Sequence, residues 1–110
     1  MPNAYKALGQ VAITSANTDT TLYTVPSSTS TVVSTITACN RGSSATTFRI
    51  AIRPAGASIA NQHYIVYDAA IAANDLLAFT FGLTLATTDV ITVRSASTNL
   101  TFNAYGTEIT

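Results

Sequence analysis

The chain has no tryptophan, one cysteine, one histidine and one methionine in 110 residues. A single cysteine, Cys39, cannot close an internal disulfide, which fits folding in a reducing cytoplasm. Charge is equally scarce. Charged side chains make up 9% of the sequence, against about 25% in ordinary soluble domains, and their sum is zero. Electrostatic binding of nucleic acid needs a basic surplus, so no nucleic-acid partner is expected. No apolar run approaches the length that spans a bilayer as a helix, so no membrane partner is expected either. The first ten residues, MPNAYKALGQ, lack a basic region followed by an apolar stretch, and no signal peptide is expected. No window holds a helical period.

What remains is threonine and alternation. Hydrophobic residues make up 47%, enough to exclude disorder by low hydrophobicity. With so little charge, the surface must be built from Thr, Ser, Asn and Ala. A near-neutral surface protects a free monomer poorly from association, and reads as one to be covered by neighbours. Val32, Ile36 and Ala38 alternate with Val33, Thr35 and Thr37. Phe48, Ile50 and Ile52 alternate with Arg49, Ala51 and Arg53. Leu77, Phe79, Phe81, Leu83 and Leu85 form a third series, with a bend or bulge expected at Gly82. Leu100, Phe102 and Ala104 form a fourth. Turn-rich segments separate these runs. The pattern predicts strands at 4–14, 21–25, 31–39, 46–53, 62–67, 76–85, 89–95 and 100–109. That is an all-β chain: one antiparallel β-sandwich domain over residues 1–110, Ig-like or jelly-roll, with a small closed barrel as the runner-up.

Candidate sites are few. Cys39 beside Arg41 could act as a nucleophile only with a base, and His63 is the one histidine. No motif orients either, so Cys39 reads as a small buried residue beside a loop. Asn40-Arg41-Gly42 supplies residues tolerant of positive φ, and Ala38–Gly56 reads as a β-hairpin. In the turn that follows, Pro54 fits the second position and Gly56 the fourth. Asp19, Asp68, Asp75, Asp89 and Glu108 are scattered singly. No metal site, cofactor site or catalytic pair is therefore expected. Three of these acids precede strands, where turn-making accounts for them. Tyr64 and Tyr67 could stack on a sugar, but a straight strand puts them on opposite faces. Arg49 and Arg53 are sent to the face away from the core, where they frame Ala51 as a docking patch. Arg41, Arg49, Arg53, Tyr64 and Tyr67 are thus the candidate interface residues.

Taken together, YKALGQ, TLYTVP (21–26), TVVSTITACNRG (31–42), FRIAIRPAGA (48–57), HYIVYD (63–68), AANDLLAFTFGLTLATTDVI (72–91) and FNAYGTEIT (102–110) resemble small virion structural proteins of tailed phages, especially cyanophages. The resemblance covers nearly the whole chain and brings no catalytic motif. It implies a non-enzymatic particle component, made in the bacterial cytoplasm and located in the virion. Its partners would be further copies of itself, with a trimer the symmetry such proteins often adopt, and other virion proteins. Tail, baseplate or fibre is the leading location. A capsid decoration (cement) protein and a host-glycan-binding adhesin module are the alternatives.

Overall fold

Two four-stranded antiparallel sheets face each other in the computed structural model, which describes residues 3–110. The strands are β1 (Asn3–Ala12), β2 (Thr20–Thr24), β3 (Ser30–Asn40), β4 (Thr46–Arg53), β5 (Tyr64–Ile71), β6 (Leu76–Leu85), β7 (Val90–Ser95) and β8 (Leu100–Ile109). Two short 3-10 turns, Pro54–Gly56 and Asn61–His63, lie between β4 and β5.

The first sheet runs β1-β8-β3-β6 and the second β2-β7-β4-β5. Pairing is nested: β1 with β8, β2 with β7, β3 with β6, β4 with β5. A long hairpin rolled upon itself gives this order. It is the jelly-roll arrangement of two Greek keys, so the Ig-like alternative and the closed barrel are both set aside. The radius of gyration, 13.6 Å, is that of one compact body of this length.

The alternating residues supply the core. Ile36, Ile50, Ile91, Val93, Leu100, Phe102 and Ala104 are fully buried, and Phe48 sits between Phe79 and Phe102 with ring centroids 5.9 and 5.8 Å away. Rings at these spacings and tilts are in favourable edge-to-face range. Leu77, Phe79, Phe81 and Leu83 face the same core from β6 but are only partly buried.

Several local expectations are corrected. Ala38–Gly56 is not a hairpin. β3 pairs in the first sheet and β4 in the second, so residues 41–45 form an arch between sheets. Positive φ is not what that arch needs, since Asn40, Arg41 and Gly42 all avoid it. Close approach favours Gly42: an added Cβ would press on the Asn99 side chain, which would have to shift. Asn40, 1% exposed, ties the arch together. Its Nδ2 donates to the carbonyls of Ser44 and Ala72, and its Oδ1 accepts the Gly42 N–H. In the next turn, Ala57 N–H donates to Pro54 O, with Ala55 and Gly56 both at positive φ. Pro54 is therefore the first residue of that turn and Gly56 the third, one place from the expectation.

Bulges explain the remaining differences. The β3 pairings shift register between Val33 and Thr35, opposite Gly82 (φ +64) on one side and Gly106 on the other. The expected irregularity at Gly82 is present. The shift also reverses the facing of β3, so Val33 is buried and Val32 is exposed, opposite to strict alternation. On β4, Phe48 and Ile50 are buried as expected, while Ala51 is buried and Ile52 only partly so. The fifth strand lies at Tyr64–Ile71 rather than 62–67.

Candidate functional site: an uncharged sheet face opposite an arginine–tyrosine cluster

Charge is segregated in this fold. Arg49, Arg53, Asp68 and Arg94 belong to the second sheet, while Asp19, Arg41, Asp75 and Asp89 lie in connections. Lys6 and Glu108 pair at 2.8 Å on the inward-facing parity of β1 and β8. None of these ten stands on the outer face of the β1-β8-β3-β6 sheet. Cross-strand register defines that face row by row. Tyr5, Thr107, Val32 and Thr84 form one row, Ala7, Tyr105, Thr35 and Thr80 another, and Ala12, Thr101, Cys39 and Leu76 the last. Tyr5 (78%), Leu76 (55%) and Tyr105 (39%) are conspicuously exposed for their size. Four strands of about ten residues give a face of about 600 Å², uncharged but mixed, with threonine, asparagine and glutamine among its apolar side chains.

The other sheet carries a compact polar cluster on its outer face. β5 shifts register twice against β4, between Phe48 and Ile50 and again between Ile50 and Ala51. Asp68 occupies the left-handed region at φ +51, which aspartate tolerates better than most residues. Each extra residue turns the strand, and Tyr64 and Tyr67 end on the same side, edge to face with centroids 4.9 Å apart. This corrects the opposite-face expectation, which assumed a straight strand. The Arg49 guanidinium lies 4.1 Å from the Tyr67 ring centroid and 5.8 Å from that of Tyr64. It also holds Asp68 with both oxygens, Nε to Oδ1 at 2.7 Å and Nη2 to Oδ2 at 3.3 Å. That bond first, with Arg94 adding, keeps the Asp68 carboxyl below its ordinary range. Arg94, directly across from Arg49, reaches Asp19 at 3.6 Å. Between Arg49, Arg94, Asp68, Asn17 and Ser95 lies a polar hollow of about 20 Å³, room for a single water.

The remaining candidates have structural partners. Arg53 Nε donates to Thr92 Oγ1 and its Nη1 to the carbonyls of Gly56 and Ala57, so it pins the start of the β4–β5 connection over β7. Asp89 holds the same end, accepting from Ala55 and Ala86 N–H. Arg41 is exposed and donates to Thr98 O. Arg49 and Arg53 do face away from the core, but as partnered groups rather than free cations.

Cys39 is half-buried on the uncharged face, between Leu76 and Thr101, not buried beside a loop. His63 lies ahead of β5, its Nδ1 accepting the Ala60 N–H. Cys39 thus lies on a strand of the first sheet and His63 in the connection that leads into the second. Among the described residues no group of three His, Cys, Asp or Glu is placed to hold a metal ion. Two open grooves, about 360 and 400 Å³, have no ionisable side chain in their lining.

One network escaped the sequence reading. Tyr23, 7% exposed, donates its phenol proton to Glu108 Oε2 at 2.5 Å and lies 2.9 Å from Thr31 Oγ1. The phenol has one hydrogen, so the Thr31 hydroxyl is the donor in the second bond. Burial, then the Glu108 bond, pushes the Tyr23 phenol up to about 12. The Lys6 bond, then the Tyr23 bond, holds Glu108 below its ordinary range. This network clamps β2 of one sheet to β3, β8 and β1 of the other.

In comparisons with known proteins, the chain matches no protein-family model and no curated protein.

Proposed function

We propose that this chain is a non-enzymatic structural subunit of the exterior of a tailed-phage particle, packed in symmetric copies on the tail, baseplate or fibres. The observation that carries the reading is the uncharged outer face of the β1-β8-β3-β6 sheet. Covering it desolvates no charge, so burial against a neighbour gains the apolar area without the penalty that isolated buried ions impose. Its area approaches the roughly 800 Å² per partner of a standard protein interface. Head decoration is the alternative location, and copy number separates the two. Tens of copies per particle by gel densitometry support tail or fibre; hundreds support the head.

Cys39 gives the direct test, because it stands on the proposed buried face. In purified free subunit it should react with a water-soluble maleimide. In intact particles it should be protected, and disassembly should restore labelling. Equal labelling in both states would refute burial of this face.

A glycan-binding adhesin is the second reading, favoured by one observation: the β5 bulges gather Tyr64, Tyr67, Arg49 and Asp68 on one side. Against it, Arg49 already occupies one face of Tyr67, where a sugar ring would stack. Glycan-array binding by the isolated chain, abolished by Tyr67→Ala, would favour this reading over the first.

A further inference from the structure

A sheet edge offers unpaired N–H and C=O groups to any passing strand, and proteins guard such edges with charge, proline, bulges or brevity. This sandwich has four edge strands, and three are guarded. β1 carries Lys6 and a register shift between Ala7 and Gly9. β2 has five residues and a register shift of its own. β5 carries Asp68 and two shifts. β6 is different. Its sequence, LLAFTFGLTL, has no charge and no proline over ten residues. From Leu76 to Thr80 its register against β3 is unbroken, and its irregularity comes only beyond, near Gly82. Among the described residues, no connection bonds its backbone to the free edge of β6; at the start of that edge the Asp75 carboxylate accepts the Leu76 N–H.

The side chains say the same. Core-facing apolar residues of the inner strands β3 and β8 are fully buried, but Leu77, Phe79, Phe81 and Leu83 on β6 are only partly so, as are Leu8 and Val11 on the other edge strand, β1. Phe79 and Phe81 stack nearly parallel, 5.3 Å apart, at a margin the two sheets leave open. That margin lacks an apolar cover.

We propose that β6 pairs antiparallel with β6 of a second copy, joining two β1-β8-β3-β6 sheets into one eight-stranded sheet about a two-fold axis. The occupant is a second copy for three reasons. An uncharged edge imposes no charge complement on its partner, and another β6 meets that condition without alteration. Antiparallel pairing about a two-fold uses the same strand twice, as an isologous interface requires. The buried area is also sufficient. A ten-residue strand is about 33 Å long, and with the open margin beneath it buries about 500 Å² per copy. The total of about 1,000 Å² reaches the lower bound of a specific interface. Pairing here also merges two uncharged faces into one of twice the area. The pairing is independent of where, or whether, the chain sits in a phage particle.

The test uses the purified chain, so its outcome does not depend on particle assembly. Sedimentation equilibrium of the wild type between about 1 and 100 μM should give a dimer. Ala78 and Thr80 are exposed on β6, so Ala78→Lys with Thr80→Lys places like charges at the joined edge without entering the core. That variant should keep its circular dichroism spectrum and dissociate at least tenfold more readily. Gln10→Lys with Ala12→Lys, on the opposite edge of the same sheet, should leave the dimer intact. Should the double β6 variant misfold, Thr80→Lys alone gives the same reading. Hydrogen exchange adds a direct signal, with alternate amides of Leu76–Leu85 protected in the dimer and exposed in the lysine variant. A wild type monomeric at 100 μM would overturn the proposal, as would open-ended aggregates or a dimer that yields to the β1 lysines and ignores those on β6.

Discussion

Replacing Tyr23 by phenylalanine removes one oxygen and leaves the ring. The ring is buried among β2, β3 and β8, so packing is retained and the change isolates the hydroxyl. Two partners lose it. Thr31 Oγ1, on a residue with no exposure, is left without the acceptor 2.9 Å away, and Glu108 loses one of two hydrogen bonds while keeping Lys6. A buried polar group left unpaired costs about 1–3 kcal/mol, and a bond to a charged group contributes about 1.5–3 kcal/mol. Because Lys6 continues to serve the carboxylate, the combined loss should be about 2 kcal/mol, or a fall in Tm of about 8 °C for a chain of this size. Urea denaturation at pH 7 and calorimetry both measure it.

The pH dependence makes the prediction specific to this network. The Tyr23 phenol has a folded pKa raised to about 12 from 10.0. Its contribution is therefore complete below pH 10 and is lost as pH rises through about 12, amounting to about 1–2 kcal/mol after allowance for solvent screening. Glu108 has a folded pKa below its ordinary 4.5. Its contribution is complete above that value and is lost as pH falls through the folded pKa. The stability difference between wild type and Tyr23→Phe should therefore be widest between about pH 5 and 9 and narrow on both sides. A difference below about 0.5 kcal/mol, or one that stays flat from pH 4 to 12, would refute the network as the clamp between sheets.

Gly106→Ala should cost at least about 2–3 kcal/mol, because the added methyl collides with the Val32 carbonyl oxygen where β8 passes the β3 bulge; thermal melts by circular dichroism check this. Arg53→Ala should cost about 1–2 kcal/mol in urea unfolding and speed proteolytic nicking within residues 54–63, since three hydrogen bonds holding that connection go with it. Ile50→Asp should unfold the domain by placing an unpaired charge at a fully buried site; a native circular dichroism spectrum would show that β4 faces the other way. Cys39→Ser should change stability by less than about 1 kcal/mol in urea unfolding, because the residue is half-buried beside a threonine.

The strand pattern was legible because threonine alternating with apolar residues leaves one face to bury, and period-two burial is a local property. Phe48, Ile50, Leu100, Phe102 and Ala104 face inward as their spacing requires. Partner choice is not local. Nothing within TVVSTITACNRG distinguishes a hairpin from an arch, because β3 finds its partners about 40 to 80 residues later, in β6 and β8. The bulges set a second limit. Ser34 lies within the register shift that turns Val32 outward, but as a serine amid threonines it announces nothing. The sequence signals at that point are the two glycines opposite it: Gly82 on β6, and Gly106 on β8, whose missing side chain makes room for the Val32 carbonyl. At β5 the signal was present in Asp68, an aspartate inside an apolar strand, where a left-handed residue and a change of facing are plausible. The cluster of Arg49, Tyr64 and Tyr67 follows from that single residue: without the bulges the two rings part, and the guanidinium loses either the carboxylate or the tyrosine face. The uncharged face needed no bulge to be foreseen in outline, since ten charges cannot cover two sheets. Which sheet would go without them was decided by pairing, which brings the charge-free outward residues of β1, β3, β6 and β8 side by side.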